Sequence, residues 1–477
     1  MAAATRASKE LARFPVGSLL WKYSVPAIVG MLVMALYNVV DRLYVGHCVG
    51  PTGLAGLSLT FPPMMVMLAF GLLLGVGTAT RISIAMGQGK RSVAQCYLGQ
   101  AVCVYLLLSF LFYPVCALFV EPLLAWTGGT AATIPVAAGY LRIVFCCAIF
   151  QYLSFGLNHT MRAEGHPTKA LMTMLIGAVL NAILDPFFIF DEVPLWFFTV
   201  PGFGMGVQGA AVATVLAQAV SMVWVLAHFL RKDAGVRLRP GFVRLYRPLL
   251  WGVIVAGLPP FALNLVGSGI TALYNVLFKL FAPTEAIAER EIAAIGIVMT
   301  VQMLICMPVL GVAQGMQPIL GFNYGARNYL RMRRTFNLAA WWGGGYIAVM
   351  SALVLLLRRP IFLLFCKEEA AGDLLTAGPT DMAVFFCGFT FVGYAILVGQ
   401  YFQSIGRGGV ALAMSLSRQC FLLVPLMLIL PPFMGLIGVW WAAPISDVLS
   451  VLIALAFHLR ERRRLDRLIA AQAAACA

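Results

Sequence analysis

The apolar positions of this chain come in long unbroken runs, with neither the period of two of a half-buried strand nor the polar face of a surface helix. Runs of about 18 or more apolar residues read as helices that cross a bilayer. The runs predict twelve spans, at 18–46, 54–80, 94–120, 132–158, 168–190, 206–230, 249–280, 292–320, 336–365, 377–403, 409–430 and 434–459. The alternation expected of a membrane β-barrel is absent. The first run, Val16 to Val45, is too long for a signal-peptide core and is read as a retained span. The fold class expected is all-α and integral to the membrane.

Composition agrees with the pattern. Of 477 residues, 61% are hydrophobic and 11% charged, too little charge to cover a soluble domain of this size. The 11 cysteines lie mostly inside apolar runs without metal-ligand spacing, and read as small packing residues. The net charge of +15 suggests nucleic acid until its distribution is examined. Most of the 33 Lys and Arg fall in the N-terminal segment, in the loops after spans 2, 4, 6, 8 and 10, and in the tail. That bias places both termini in the cytoplasm. The basic tail, Arg460 to Arg467, suits an anionic leaflet. Nucleic acid is not needed to explain the charge.

The chain also repeats itself. Ala35-Leu-Tyr-Asn-Val39 recurs at Ala272–Val276. Gly77 and Gly87 pair with Gly315 and Gly325, Gly165 with Gly406, and Gly206 and Gly209 with Gly435 and Gly438. Two six-span halves in the same orientation follow, a parallel repeat of the kind transporters use. The expected domains are a cytoplasmic segment 1–17, a first lobe 18–230, a linker 231–248, a second lobe 249–459 and a basic tail 460–477.

Ionisable groups inside a membrane are functional candidates by default. Asp41 lies late in span 1 and Asp185 late in span 5. Tyr37 stands four residues before the first and Asn181 four before the second, each on its carboxylate's helix face. Pro186 frees the carbonyl of Ala182. Two carboxylates in a low dielectric resist double ionisation, so a proton or a cation such as Na⁺, held at Asp41, Asn181 and Asp185, accompanies them. The second lobe has no acid at the matching positions; its deep charges are Arg418 and Asp447, close enough in depth to pair. Gln302, Gln314 and Gln317, with Met303, are candidates for a substrate cavity, and Pro26 for a hinge in span 1. The glycines at 71, 75 and 77 read as a close helix contact, since no strand precedes them as a nucleotide loop requires. No Walker motif, cofactor motif or cluster of catalytic residues is present, so a carrier is expected and an enzyme is not.

Taken in order, Ser24-Val-Pro26, Leu36-Tyr-Asn38, Asp41-Arg42, Arg162-Ala-Glu-Gly165, Asn181 to Pro186 and Gly206 to Thr214 resemble the multidrug and toxic compound extrusion (MATE) family. The resemblance implies a V-shaped fold of two lobes in the plasma (inner) membrane. It further implies a monomer that exports amphipathic, often cationic drugs in exchange for H⁺ or Na⁺ by alternating access, an activity that confers antibiotic resistance. It matches the first-lobe site of DinF-like members to Tyr37, Asp41, Asn181, Asp185 and Thr214. The span 7 glutamate of NorM-like members is missing from Asn264 to Ser268, and span 10 lacks an acid around Val392 to Tyr394. A flippase for lipid-linked sugars in the same superfamily is the alternative; it calls for a strongly cationic cavity, and deep basic residues are few.

Overall fold

A computed structural model describes residues 9–36, 44, 56–114, 118–193, 199–232, 234–267, 269–365 and 373–474. Among them, ten helices are long and apolar enough to cross a membrane. Two further pairs, Thr133–Cys146 with Ala148–Glu164 and Leu374–Cys387 with Phe389–Ser404, meet at bends of 59° and 44°, which brings the spans to as many as twelve. The helix ends follow local chemistry. Thr284 caps the Glu285–Gly325 helix by accepting the Ile287 N–H. Gly165 takes a positive φ of 113° to end the Leu157–Glu164 helix, and Pro167 opens the next, where its missing N–H costs nothing. The chain departs from the all-α expectation at one antiparallel hairpin, Glu192–Leu195 against Phe198–Pro201, with Val193 opposite Val200.

The chain forms two compact units, 1–13 with 29–260 and 14–28 with 261–477. The division falls inside the first span of each repeat, not at the 231–248 linker. In the first unit, the start of the Arg247–Phe281 helix lies against the Gly56–Gly87 helix. The Arg81 Nε–H donates to the Gly252 carbonyl at 2.9 Å, and Gly77 sits under the Val253 carbonyl. In the second, the start of the Val16–Leu36 helix lies against Glu285–Gly325, with Ser24 on Gly315 and Ile28 on Gly311. Small residues make both approaches possible.

The linker is fastened to the first unit. Arg91 donates to the carbonyls of Ala234 and Gly235, each at 2.6 Å. Fully buried Glu164 accepts the Val236 N–H at 2.9 Å and the His228 Nε2–H at 3.1 Å. Lys169 can only donate, so His228 accepts from it through Nδ1 at 3.2 Å. Replacing Glu164 with Ala strands two buried donors. It is expected to lower stability by about 2–4 kcal/mol, read as an earlier thermal midpoint of the purified protein.

Candidate cation site

The site is built in the first unit on two helices, Pro167–Ile189 and Gly206–Leu230, packed closely along their length. Gly209 makes that approach possible, since a Cβ there would lie 2.2 Å from the Phe188 carbonyl. Asn181 and Asp185 share one face of the first helix, and Thr214 meets them from the second. The Asn181 Nδ2 donates to Asp185 Oδ1 at 3.1 Å and to Thr214 Oγ1 at 3.2 Å. Asp185 is 0% exposed, Asn181 2% and Thr214 5%. Asn181 Oδ1 is buried with no hydrogen-bond partner among the described residues. A buried acceptor in reserve beside a carboxylate and a hydroxyl is an all-oxygen donor set, which suits a proton or a hard cation.

Asn181 and Thr214 also line a cavity of about 120 Å³. Its other polar walls include Asn158, Thr173, Gln218 and Ser221, and its apolar walls include Met34, Leu68 and Phe155. A π-helical turn at Tyr152–Gly156 shapes the wall that carries Ser154 and Phe155. The neutral polar residues here were not singled out from the sequence. The signal was available: Thr173, Gly177 and Asn181 are spaced by four, as are Thr214 and Gln218, with Ser221 three further on.

Of the residues expected at the site, the structure brings Asn181, Asp185 and Thr214 together. Tyr37 and Asp41 lie outside the described residues. Gln302, Met303, Gln314 and Gln317 stand on the Glu285–Gly325 helix of the other unit and do not line this cavity. Gln317 is buried, while Met303 is 51% exposed. Pro26 is half-buried in the Val16–Leu36 helix. The expected Arg418–Asp447 pairing is observed, with Arg418 Nε donating to Asp447 Oδ1 at 2.7 Å. Glu164, His166 and His228 bring three metal-type ligand atoms within 4.8 Å of one another. Both His228 nitrogens and both Glu164 oxygens are already bonded, and the Lys169 ammonium beside them opposes a cation.

Comparison with known proteins agrees with this architecture. The MatE family model matches residues 26–187 and 253–429. The multidrug export protein MepA of Staphylococcus aureus (strain MSSA476) is 26% identical over 458 residues, covering 95% of this chain and 96% of that protein. MepA of Staphylococcus haemolyticus is 26% identical over 452 residues, with coverage of 93% and 94%. Among solved structures, the MATE multidrug transporter DinF-BH in complex with R6G superposes with a TM-score of 0.86. It shares 35% identity, over 97% of this chain and 99% of that one. An outward-facing multidrug resistance MATE transporter of the MOP superfamily gives 0.86 at 24% identity, a likeness of fold. With its membrane helices, its duplicated sequence and a family match over more than half its length, the chain belongs to the MatE family.

Proposed function

We propose that the protein exports small amphipathic or cationic compounds, drugs among them, in exchange for H⁺ or Na⁺ taken up at the first-unit site. The observation that carries this reading is the Asn181–Asp185–Thr214 cluster, buried at the wall of a cavity and equipped with an acceptor in reserve. A buried carboxylate that accepts from a neutral amide is stabilised further by a cation that can come and go, since a charge in a low dielectric is costly. Exchange follows when cation and drug favour opposite exposures of the site. The names of the relatives, multidrug export proteins and a multidrug transporter holding R6G, support the substrate class.

In this reading Asp41 and Tyr37 complete the site from span 1, as in DinF-like members, and Pro26 lets that span bend. Gln302, Met303, Gln314 and Gln317 serve the substrate path. The lobes are 18–230 and 249–459, joined by the 231–248 linker, with both ends, 1–17 and 460–477, in the cytoplasm of an inner membrane. The working unit is a monomer. Inverted vesicles with H⁺ and Na⁺ gradients imposed separately test the proposal. Uptake of a fluorescent organic cation under one gradient, abolished when that gradient is collapsed, is the expected outcome. Uptake that responds to neither gradient overturns it.

A further inference from the structure

The internal repeat assigns the cavity of the first unit a counterpart in the second. Aligning Gly165 with Gly406 sets Gly177 against Arg418, and aligning Gly206 with Gly435 sets Gln218 against Asp447. The match of Gly77 with Gly315 sets Leu68 against Cys306. Gly177, Gln218 and Leu68 all line the first-unit cavity. Their counterparts also gather, but around an ion pair. Arg418 Nε donates to Asp447 Oδ1 at 2.7 Å, and Asp447 is 2% exposed.

The surroundings hold that pair firmly. Arg418 lies in a π-helical segment, Ser417–Leu423, whose extra residue per turn disturbs the backbone ladder. Ser446 Oγ donates to the Arg418 carbonyl at 2.6 Å, and Ser450 Oγ donates to the Asp447 carbonyl at 2.8 Å. Two oxygens nevertheless stay buried without a hydrogen-bond partner among the described residues: Asp447 Oδ2 and the hydroxyl of Tyr274. Tyr274 is the repeat counterpart of Tyr37, through the shared Ala-Leu-Tyr-Asn-Val. Among the described residues, the titratable side chains in electrostatic reach of Asp447 are Arg418, Tyr274 of the Arg247–Phe281 helix, Cys306 of Glu285–Gly325 and Cys387 of Leu374–Cys387.

A guanidinium keeps its charge and cannot diffuse away. We propose that Arg418 is a tethered counter-ion: it stands at the second unit's counterpart of the cavity wall, one helical turn from where the first unit holds its cation site, and compensates Asp447 there as an exchangeable cation would. The second unit then binds no coupling ion, and removing the guanidinium uncovers a latent site for a proton or a monovalent cation at Asp447 and Tyr274. The comparison rests on the proposed coupling role of Asp185, but the test does not pass through export.

The test is the thermal midpoint of the purified full-length protein in detergent, for wild type, R418Q and R418Q/D447N. Each is followed across pH, in Na⁺ and in a bulky organic cation. Without its partner, a buried Asp447 binds a proton in the folded state and releases it on unfolding. The folded state then holds more protons, so stability falls as pH rises. R418Q is expected to melt about 5 °C lower near pH 8 than near pH 5, beyond any change in wild type, or to regain a similar shift with Na⁺. The double variant, with neither charge, returns to the wild-type profile. An R418Q profile parallel to wild type in both pH and Na⁺ overturns the proposal. Should R418Q fail to purify, recovery in R418Q/D447N supports the tethered charge, and failure of both variants overturns it. Normal export by an Asp185 variant would sink the coupling site and leave these melting profiles unchanged.

Discussion

Asp185→Asn is expected to reduce cation-driven export to background while leaving the amount of folded protein in the membrane unchanged. The substitution keeps the shape and one carbonyl-type oxygen, so Asn181 Nδ2 retains an acceptor at the position of Oδ1, now 3.1 Å away. Its loss of stability should stay within about 1 kcal/mol, the net worth of a typical hydrogen bond. What disappears is the negative charge. An amide neither takes up a proton near neutral pH nor neutralises a cation, so the site has one ground state whichever way it faces. A carrier whose site cannot be charged and discharged has nothing to couple. The measurement is gradient-driven uptake of an organic cation by inverted vesicles, beside equilibrium binding of the same compound to purified protein. Binding within a few-fold of wild type together with lost uptake supports a coupling role. Full uptake removes Asp185 from the mechanism.

How far the sequence leads can be judged at this same site. Asn181 and Asp185 were legible because a carboxylate in an apolar run is costly, and the i, i+4 rule then supplies its neighbour. Thr214 came only through the family resemblance. It lies 33 residues from Asn181, and no periodicity reports which helix will face which. The neutral polar walls at Asn158, Thr173, Gln218 and Ser221 escaped notice because each is inexpensive alone and ordinary in a helix. Charge is a loud signal in hydropathy; a stripe of amides and hydroxyls is a quiet one.

The same limit applies to the fold. Long apolar runs marked the spans, but hydropathy does not register a bend. The 59° break at Cys147 and the π turn at Tyr152–Gly156 change backbone direction without changing composition. The Arg-rich tail, expected as a separate cytoplasmic segment, continues the Leu436–Cys476 helix without a break. Arg333 with Asp466 and Arg407 with Glu461 fasten it to its own unit. Nor does one sequence state which half of a span packs where. Residues 18–28 join the second unit and 249–260 the first, although the repeat assigns each to the other half. Small residues mark both contacts: Ser24, two residues before Pro26, meets Gly315, and Gly257, two before Pro259, meets the Leu73 backbone.

Those small residues carry the second large expectation: Gly257→Ala should cost most of the folded protein. A Cβ at Gly257 would lie 1.8 Å from the Leu73 carbonyl oxygen and 2.9 Å from the Leu73 Cα. Both are backbone atoms, so no side-chain rotamer relieves the clash, and the two helices would have to separate. They are already close at a second point, where a Cβ at Gly77 would lie 2.1 Å from the Val253 carbonyl. Separation therefore loosens the whole crossing, including the Arg81 bond to Gly252. Overpacking a core costs about 1–3 kcal/mol when side chains can adjust. Here the obstacle is backbone, and between membrane helices close packing itself is the main attraction. Gly344→Ala is the matched control, since a Cβ there meets nothing within 4 Å. Its helix gains the better helix former, worth up to about 1 kcal/mol. Extracted in mild detergent and separated by size, Gly344→Ala should elute as wild type, and Gly257→Ala should lose most of its monodisperse peak. Equal recovery of the two variants would show that the crossing between Leu73–Gly77 and Val253–Gly257 is not the tight contact that holds the first unit together.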